Sequence, residues 1–338
     1  MMKLTNYFNV LLKDTVNLGQ VKLDLLDSRV EAVYKALKAD EQIGPLILGK
    51  TPQGSWAHRT IINPVGSNEF DADFMLDMRE NPDWSDDPKK YTEEVYAALH
   101  RHSTYGNMPH SRKCRCVRLV YANSMHLDIV PHLNLADGRE VIVNRDDNDW
   151  ELTDPQGFTD WMKNKDALAK GNLRKVIRLM KYLRDHKASF TGTRSILLTT
   201  MLGEQVTELR TLLDPSYYSD VPTALLHIVK DLDVWLQANP STPPVADPSG
   251  SGVYFGHRWG PDPEKAQATY SYFRDRIHVH AAEIEEAYKE KNKERSIELW
   301  QGIFGDGFKA PATSSSSAKF PAAAPAAAST VERSGRAG

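Results

Sequence analysis

Asp71 and Asp73 stand two positions apart at the head of the run FDADFMLDM, residues 70–78. On a strand, side chains at i and i+2 leave the same face, so two carboxylates would project together and repel unless a cation lay between them. Hard divalent ions are bound by a few carboxylates together with substrate phosphates. The pair therefore predicts a site for a nucleotide with a hard divalent ion such as Mg2+, with Mn2+ as the alternative metal. A third carboxylate is then expected on a neighbouring strand. Asp128 in SMHLDIVP, residues 124–131, meets that need, because an ionised side chain in an apolar strand is costly without a partner.

A phosphate-binding element is expected close by. Gly54 allows the backbone to approach a phosphate, and Ser55 adds a hydroxyl and adjacent amides. A Gly-Ser pair is also an ordinary turn signal. The rival pair, Gly66 and Ser67, leaves too little chain before Asp71 for a loop and a helix, so it reads as a turn. In LRKVIRLMKYLRDH, residues 173–186, Arg174, Arg178 and Lys181 fall on one helical stripe, and Val176, Leu179 and Leu183 on another. Such a stripe suits a triphosphate if it faces the cleft, and is a solvated face otherwise. Ser195, at the start of the next helix, offers its hydroxyl and the helix N-terminus to the terminal phosphate.

The positioning elements follow from periodicity. Leu4 to Leu12 and Val21 to Lys38 have helical spacing and are expected to cross the back of a sheet. Strands are predicted at Phe70–Met78, Cys114–Tyr121, His126–Val130 and Glu140–Asn144, with a helix from Tyr91 to His102. From Asp154 the pattern turns helical: Pro155–Lys170, Leu173–His186, Arg194–Leu213, Ser219–Ala238, and one or two helices over Pro263–Gly302. The fold class is α+β and bilobal, with a mixed-sheet catalytic lobe over residues 1–152 and a helical-bundle lobe over 153–310. Residues 311–338 are poor in bulky apolar side chains and predict a disordered tail.

With 338 residues, 41% apolar and 26% charged, the chain can bury two cores. A net charge of −3 makes no case for long nucleic-acid binding. Cys114 and Cys116 read as plain thiols, without a cluster that would complete a zinc site. The short apolar start predicts no membrane span, and the expected compartment is the cytoplasm. His278 and His280 are expected on a helix surface, and Trp300, Phe304 and Phe308 as packing aromatics. Tyr254, Phe255, His257 and Arg258 follow a Gly/Ser loop that could bring them to the cleft.

Taken together, GS, FDAD, HLDIVP, the Asp154-Pro155 to Trp161 stretch, RLMKYLRDH and ELWQGIFGDGF resemble the bacterial cGAS/DncV-like nucleotidyltransferases (CD-NTases) of the polymerase-β superfamily, over residues 20–310. The resemblance implies an enzyme that joins NTPs, ATP among them, into a cyclic di- or trinucleotide second messenger. The family works in antiphage (CBASS-type) operons, where the product activates a downstream effector. By position, Asp71, Asp73 and Asp128 become metal ligands and catalytic groups, Gly54 and Ser55 the phosphate loop, and Lys181, Ser195 and Arg178 nucleotide contacts. The zinc insertion by which the animal sensor of the family reads DNA has no counterpart here. The end of the chain resembles members whose terminal glycine, here Gly338, is conjugated by an E1/E2-like partner; a plain frayed end is the alternative. The same aspartates would serve a nucleotidyltransferase acting on RNA or protein, and an idle scaffold module is the reading from another class.

Overall fold

The computed structural model describes residues 2–66, 70–122 and 125–312. The expected tail from residue 313 on, with Gly338, and Ser67 lie outside the described residues.

The sheet is built on alternation. In β2 (Phe70–Met78), Phe70, Ala72, Phe74, Leu76 and Met78 are buried on one face, which leaves Asp71, Asp73, Met75 and Asp77 on the other. Strand β1 (Ile47–Gln53) pairs antiparallel with β2, and β5 (Met125–Asn134) pairs with it in parallel. The first half of β5 also pairs with β4 (Val117–Tyr121), which carries β3 (His110–Arg112) at the edge. Its second half pairs with β6 (Glu140–Asn144), which carries β7 (Asp149–Leu152). The buried face is covered by α2 (Gln20–Ala39), through Leu26, Val30, Val33 and Leu37, and by α4 (Lys89–Arg101), through Tyr91, Val95, Ala98 and Leu99. The other face is left for chemistry.

The second lobe holds α5 (Pro155–Leu168), α6 (Leu173–His186), α7 (Ser195–Glu204), α8 (Glu208–Leu213), α9 (Val221–Ala238), α10 (Pro263–Lys289) and α11 (Lys293–Phe304). Asp154 caps α5 by accepting from the Gly157 amide at 2.6 Å, and Pro155 takes the first turn, where its missing N–H costs nothing. Trp300, Phe304 and Phe308 are fully buried. They pack against Phe8 of α1 (Thr5–Leu11), with ring centroids 4.9, 6.1 and 5.0 Å away.

That contact corrects the expected arrangement of the first lobe. Phe8, Leu11, Leu12 and Val16 belong to the helical core, whereas Leu18 onward belongs to the sheet core. The first helix therefore does not cross the sheet; large aromatics near the far end of the chain offer it more surface to bury. Two further departures are local. Cys114 and Cys116 lie in the turn before β4 and not within the strand, and the predicted 194–213 helix breaks between α7 and α8. His280 is buried, not on a helix surface: its Nε2 lies 3.0 Å from Ser189 Oγ and its Nδ1 2.8 Å from Glu283.

Candidate active site

Four strands bring one residue each into a single row across the sheet. Gln53 of β1 pairs with Asp73, Asp73 pairs with Asp128 in parallel, and Asp128 pairs with Arg118 of β4. Directly after Gln53 the chain turns into α3 (Gly54–Ala57), with Gly54 at φ +60. A Cβ on Gly54 would lie 2.7 Å from Asp73 Oδ2. The close approach and the left-handed backbone both require glycine here.

The carboxylates differ in setting. Asp71 is exposed, Asp73 is half-buried and Asp128 is 7% exposed. Arg118 grips Asp128 with both arms, Nε to Oδ1 at 2.8 Å and a terminal nitrogen to Oδ2 at 2.7 Å. Arg118 is thus the partner that the buried strand carboxylate required. Among the described residues no group of three or more His, Cys, Asp or Glu side chains is placed to hold a metal ion. The carboxylates of Asp71 and Asp73 are nonetheless the donor type that a hard divalent ion takes. Burial, then Asp128 and Asp71, push the Asp73 carboxyl up to about 7, and a cation shared by these oxygens would relieve that strain.

The helical lobe closes a cavity of 290 Å³ beside Asp73 of this row, lined by Gly54, Ser55, Asp71, Asp73, Lys181 and Ser195 among others. Six of the residues expected at the site thus share one cavity. Asp128 opens instead onto an adjoining cavity, and Arg178 lines neither. The basic stripe of α6 has a different use. Arg174 donates to the carbonyl of His58, Arg178 to that of Arg59 and Lys181 to that of Thr60, at 2.8, 3.1 and 3.2 Å. Three cations one helical stripe apart hold three consecutive carbonyls that follow the phosphate-loop helix. Arg184, which is not among the residues expected from the sequence, lines the cavity and donates to Ser195 Oγ at 3.3 Å.

Lys181 is 4% exposed, and burial with Arg184 nearby drops its pKa to about 7. A triphosphate in the cavity would restore the charge. Nucleotide binding at pH 8 is therefore expected to take up close to one proton in wild type and none in Lys181→Met, as read by calorimetry in buffers of different ionisation enthalpy.

His58 stacks on Phe158 of α5 at 4.8 Å and links the lobes. Burial, then Lys181 and Arg174, lower its pKa to about 4. A depressed folded value means that its contribution is complete above the unfolded value of 6.5 and is lost as pH falls toward 4. Thermal melts from pH 7 to 4 should show a decline of up to about 3 kcal/mol that His58→Phe, which keeps the stack, removes.

Residues 2–166 match the model of the Second Messenger Oligonucleotide or Dinucleotide Synthetase domain. Over those residues the chain is similar to that domain family, and its fold is that of solved CD-NTases. The chain is 31% identical over 152 residues to the c-di-GMP synthase of Roseivirga ehrenbergii, a stretch covering 44% of this chain and 40% of that protein. It is 21% identical to the cyclic AMP-AMP-AMP synthase of an Acinetobacter species, over 81% of this chain and 76% of the relative. Its fold matches the CD-NTase CdnG of Bradyrhizobium diazoefficiens, solved in complex with GTP, with a TM-score of 0.68 at 17% identity, over 91% of this chain and 96% of that one. No helix among the described residues is long and apolar enough to cross a membrane.

Proposed function

We propose that this chain is a CD-NTase that joins NTPs, ATP among them, into a cyclic di- or trinucleotide second messenger. The observation that carries the reading is the pair Asp71 and Asp73, facing Lys181 and Ser195 across the cavity that begins at Gly54, while Asp128 and Arg118 continue the row of Asp73 into the adjoining cavity. One side of that cavity offers carboxylates, and the other offers cations and a helix N-terminus. That division suits a metal-bound triphosphate. Asp71, Asp73 and Asp128 would hold two Mg2+ ions, or Mn2+, which when bound lower the pKa of an attacking ribose hydroxyl and neutralise the triphosphate. Gly54 and Ser55 bring backbone to the phosphates, and Lys181, Arg184 and Ser195 hold them in line with the acceptor. Asp128, fixed by Arg118, is placed to accept a hydrogen bond from the acceptor hydroxyl as its proton leaves. Sequence similarity to synthases of cyclic di- and trinucleotides supports a small cyclic product over a labelled RNA or protein.

The test is incubation of the pure chain with labelled NTPs and Mg2+, followed by phosphatase. A phosphatase-resistant small product is expected. Label in a macromolecule would favour modification of RNA or protein, and absence of turnover an idle module. An antiphage setting, a downstream effector and conjugation of Gly338 belong to the same proposal through the family alone. Removal of Gly338 is expected to abolish adducts in cells that carry the conjugating partner, and unchanged adducts would refute that part.

A further inference from the structure

A further cavity, of 560 Å³, lies in the helical lobe and shares no lining residue with the cavities of the cleft. It falls between α5, α7, α9 and the strap 243–248, and its volume is within the range of small-molecule pockets, about 300–1,000 Å³. Its aromatic wall is fixed. Trp161 lies against Gly203 of α7, where a Cβ would collide with the indole, and its Nε1 donates to Glu204 at 3.0 Å. Trp235, 36% exposed, lines the cavity as well, and Pro243, Pro244 and Pro248 add apolar surface from the strap. The two charged residues of the wall, Lys165 and Glu204, have opposite signs and stand 3.9 Å apart. Both are engaged, since Lys165 Nζ also donates to the Val206 carbonyl at 2.9 Å. Neither an anion nor a cation finds a spare counter-charge there. One polar group still lacks a partner: Thr200 in the wall is buried, and its Oγ1 makes no hydrogen bond among the described residues.

We propose that this cavity is an effector site for a neutral, planar heteroaromatic molecule of about two fused rings, held against Trp161 and Trp235. Indole and proline surfaces pack flat rings, and walls without net charge favour an uncharged one. A ring heteroatom gives the Thr200 hydroxyl the partner it lacks. The site stands on its own walls; its role as an effector rests on the reading of the cleft as a nucleotidyl-transfer site.

The strap joins this cavity to the cleft. Pro244, Val245 and Ala246 line the outer cavity, whereas Asp247 lines the cleft side. The strap is also hydrogen-bonded to Val253 and Phe255, which line the cleft side too: the Phe255 amide donates to the Val245 carbonyl at 2.7 Å, and the Asp247 amide to the Val253 carbonyl at 2.8 Å. Val245 is β-branched and sits at φ +48, a strained conformation that persists only where the surroundings impose it. From the other wall, Trp161 packs on Phe158 at 5.1 Å and Phe158 on His58 at 4.8 Å, and His58 lines the cavity that holds Lys181 and Ser195. A ligand in the outer cavity packs both the strap and Trp161 from behind. It lessens the ordering that nucleotide binding must supply, so the two ligands bind with positive cooperativity.

The probe is quinoline, uncharged at pH 8, titrated into the full chain and followed by ligand-observed NMR. Wild type should bind it with a Kd of about 1 mM or tighter, and the anionic quinoline-2-carboxylate about tenfold more weakly or worse. Trp235→Ala, at a partly exposed wall position, should weaken quinoline by about tenfold or more, whereas Trp235→Phe keeps an aromatic wall and should stay within about threefold of wild type. Saturating quinoline should lower the Kd of Mg2+-ATP, read by calorimetry, about fivefold, and Mg2+-ATP should lower the quinoline Kd by the same factor. Both shifts should vanish in Trp235→Ala. Absence of quinoline binding, binding that survives Trp235→Ala, or a carboxylate that binds as tightly would overturn the site, and binding that leaves the ATP affinity unchanged would overturn the effector role. If the chain binds no Mg2+-ATP at all, the functional reading fails on its own, and the quinoline titrations still decide the site.

Discussion

Asp71→Asn and Asp128→Asn are each expected to lower product formation by about a thousandfold or more, because an amide keeps the shape but cannot bind a hard cation as a carboxylate does. Their effects on stability should separate. Asp71 is exposed, and its replacement should leave the melting temperature nearly unchanged. Asp128→Asn leaves the Arg118 guanidinium without its bidentate partner, at a cost on the order of 1–3 kcal/mol. Asp73→Asn should be equally inactive and yet more stable than wild type above pH 7. The Asp73 carboxyl sits near 7 in the fold against 3.8 unfolded, so the native state binds the extra proton between those values. The native state therefore loses stability as pH rises through that window, and the full penalty remains above it. Removing the charge, or adding Mg2+ to wild type, should raise the melting temperature at pH 8 by the equivalent of about 1–2 kcal/mol, allowing for the solvent that reaches a half-buried group. A lower melting temperature for Asp73→Asn at pH 8 would show that Asp73 is stabilised by its surroundings and not strained by them.

Gly54→Ala is the second variant of large expected effect. The new methyl must sit where Asp73 Oδ2 lies, at 2.7 Å, on a backbone at φ +60 that an L-residue adopts at a cost of about 1–2 kcal/mol. Either α3 swings away or Asp73 leaves the row, and both outcomes separate the phosphate loop from the carboxylates. Activity should fall by about a hundredfold or more, with nucleotide affinity, read by fluorescence titration, falling alongside it. Gly66→Ala is the control, because its Cβ would meet nothing within 4 Å and its backbone strain is of the same kind. Comparable losses in both would trace the defect to backbone strain and not to the clash with Asp73.

Much of this site was legible because strand periodicity is strict. Two aspartates at i and i+2 had to share a face, and an aspartate inside the apolar run of β5 had to find a partner. What periodicity could not give was the identity of that partner. Arg118 lies ten residues before Asp128 and reaches it only through the register of β4 on β5, which no local pattern encodes. The stripe on α6 was correctly grouped, but its target was not visible. Whether cations face phosphate, solvent or backbone depends on what packs opposite, and here three carbonyls of the 58–60 segment do. The first helix was misplaced for a similar reason, since amphipathic spacing says that a face is buried and not against which lobe. The caps were plainer, with Asp154-Pro155 starting α5 where the sequence puts it.

The central claim is that the cleft between the lobes joins nucleotides and closes a ring. Pyrophosphate counted against nucleotides incorporated into the phosphatase-resistant product tests it most directly. A ring of n nucleotides needs n transfers and releases n pyrophosphates, whereas a linear chain of the same length releases one fewer. The account predicts a ratio of one, abolished in Asp71→Asn. A ratio below one that persists in the purified product, or incorporation without pyrophosphate, would contradict it.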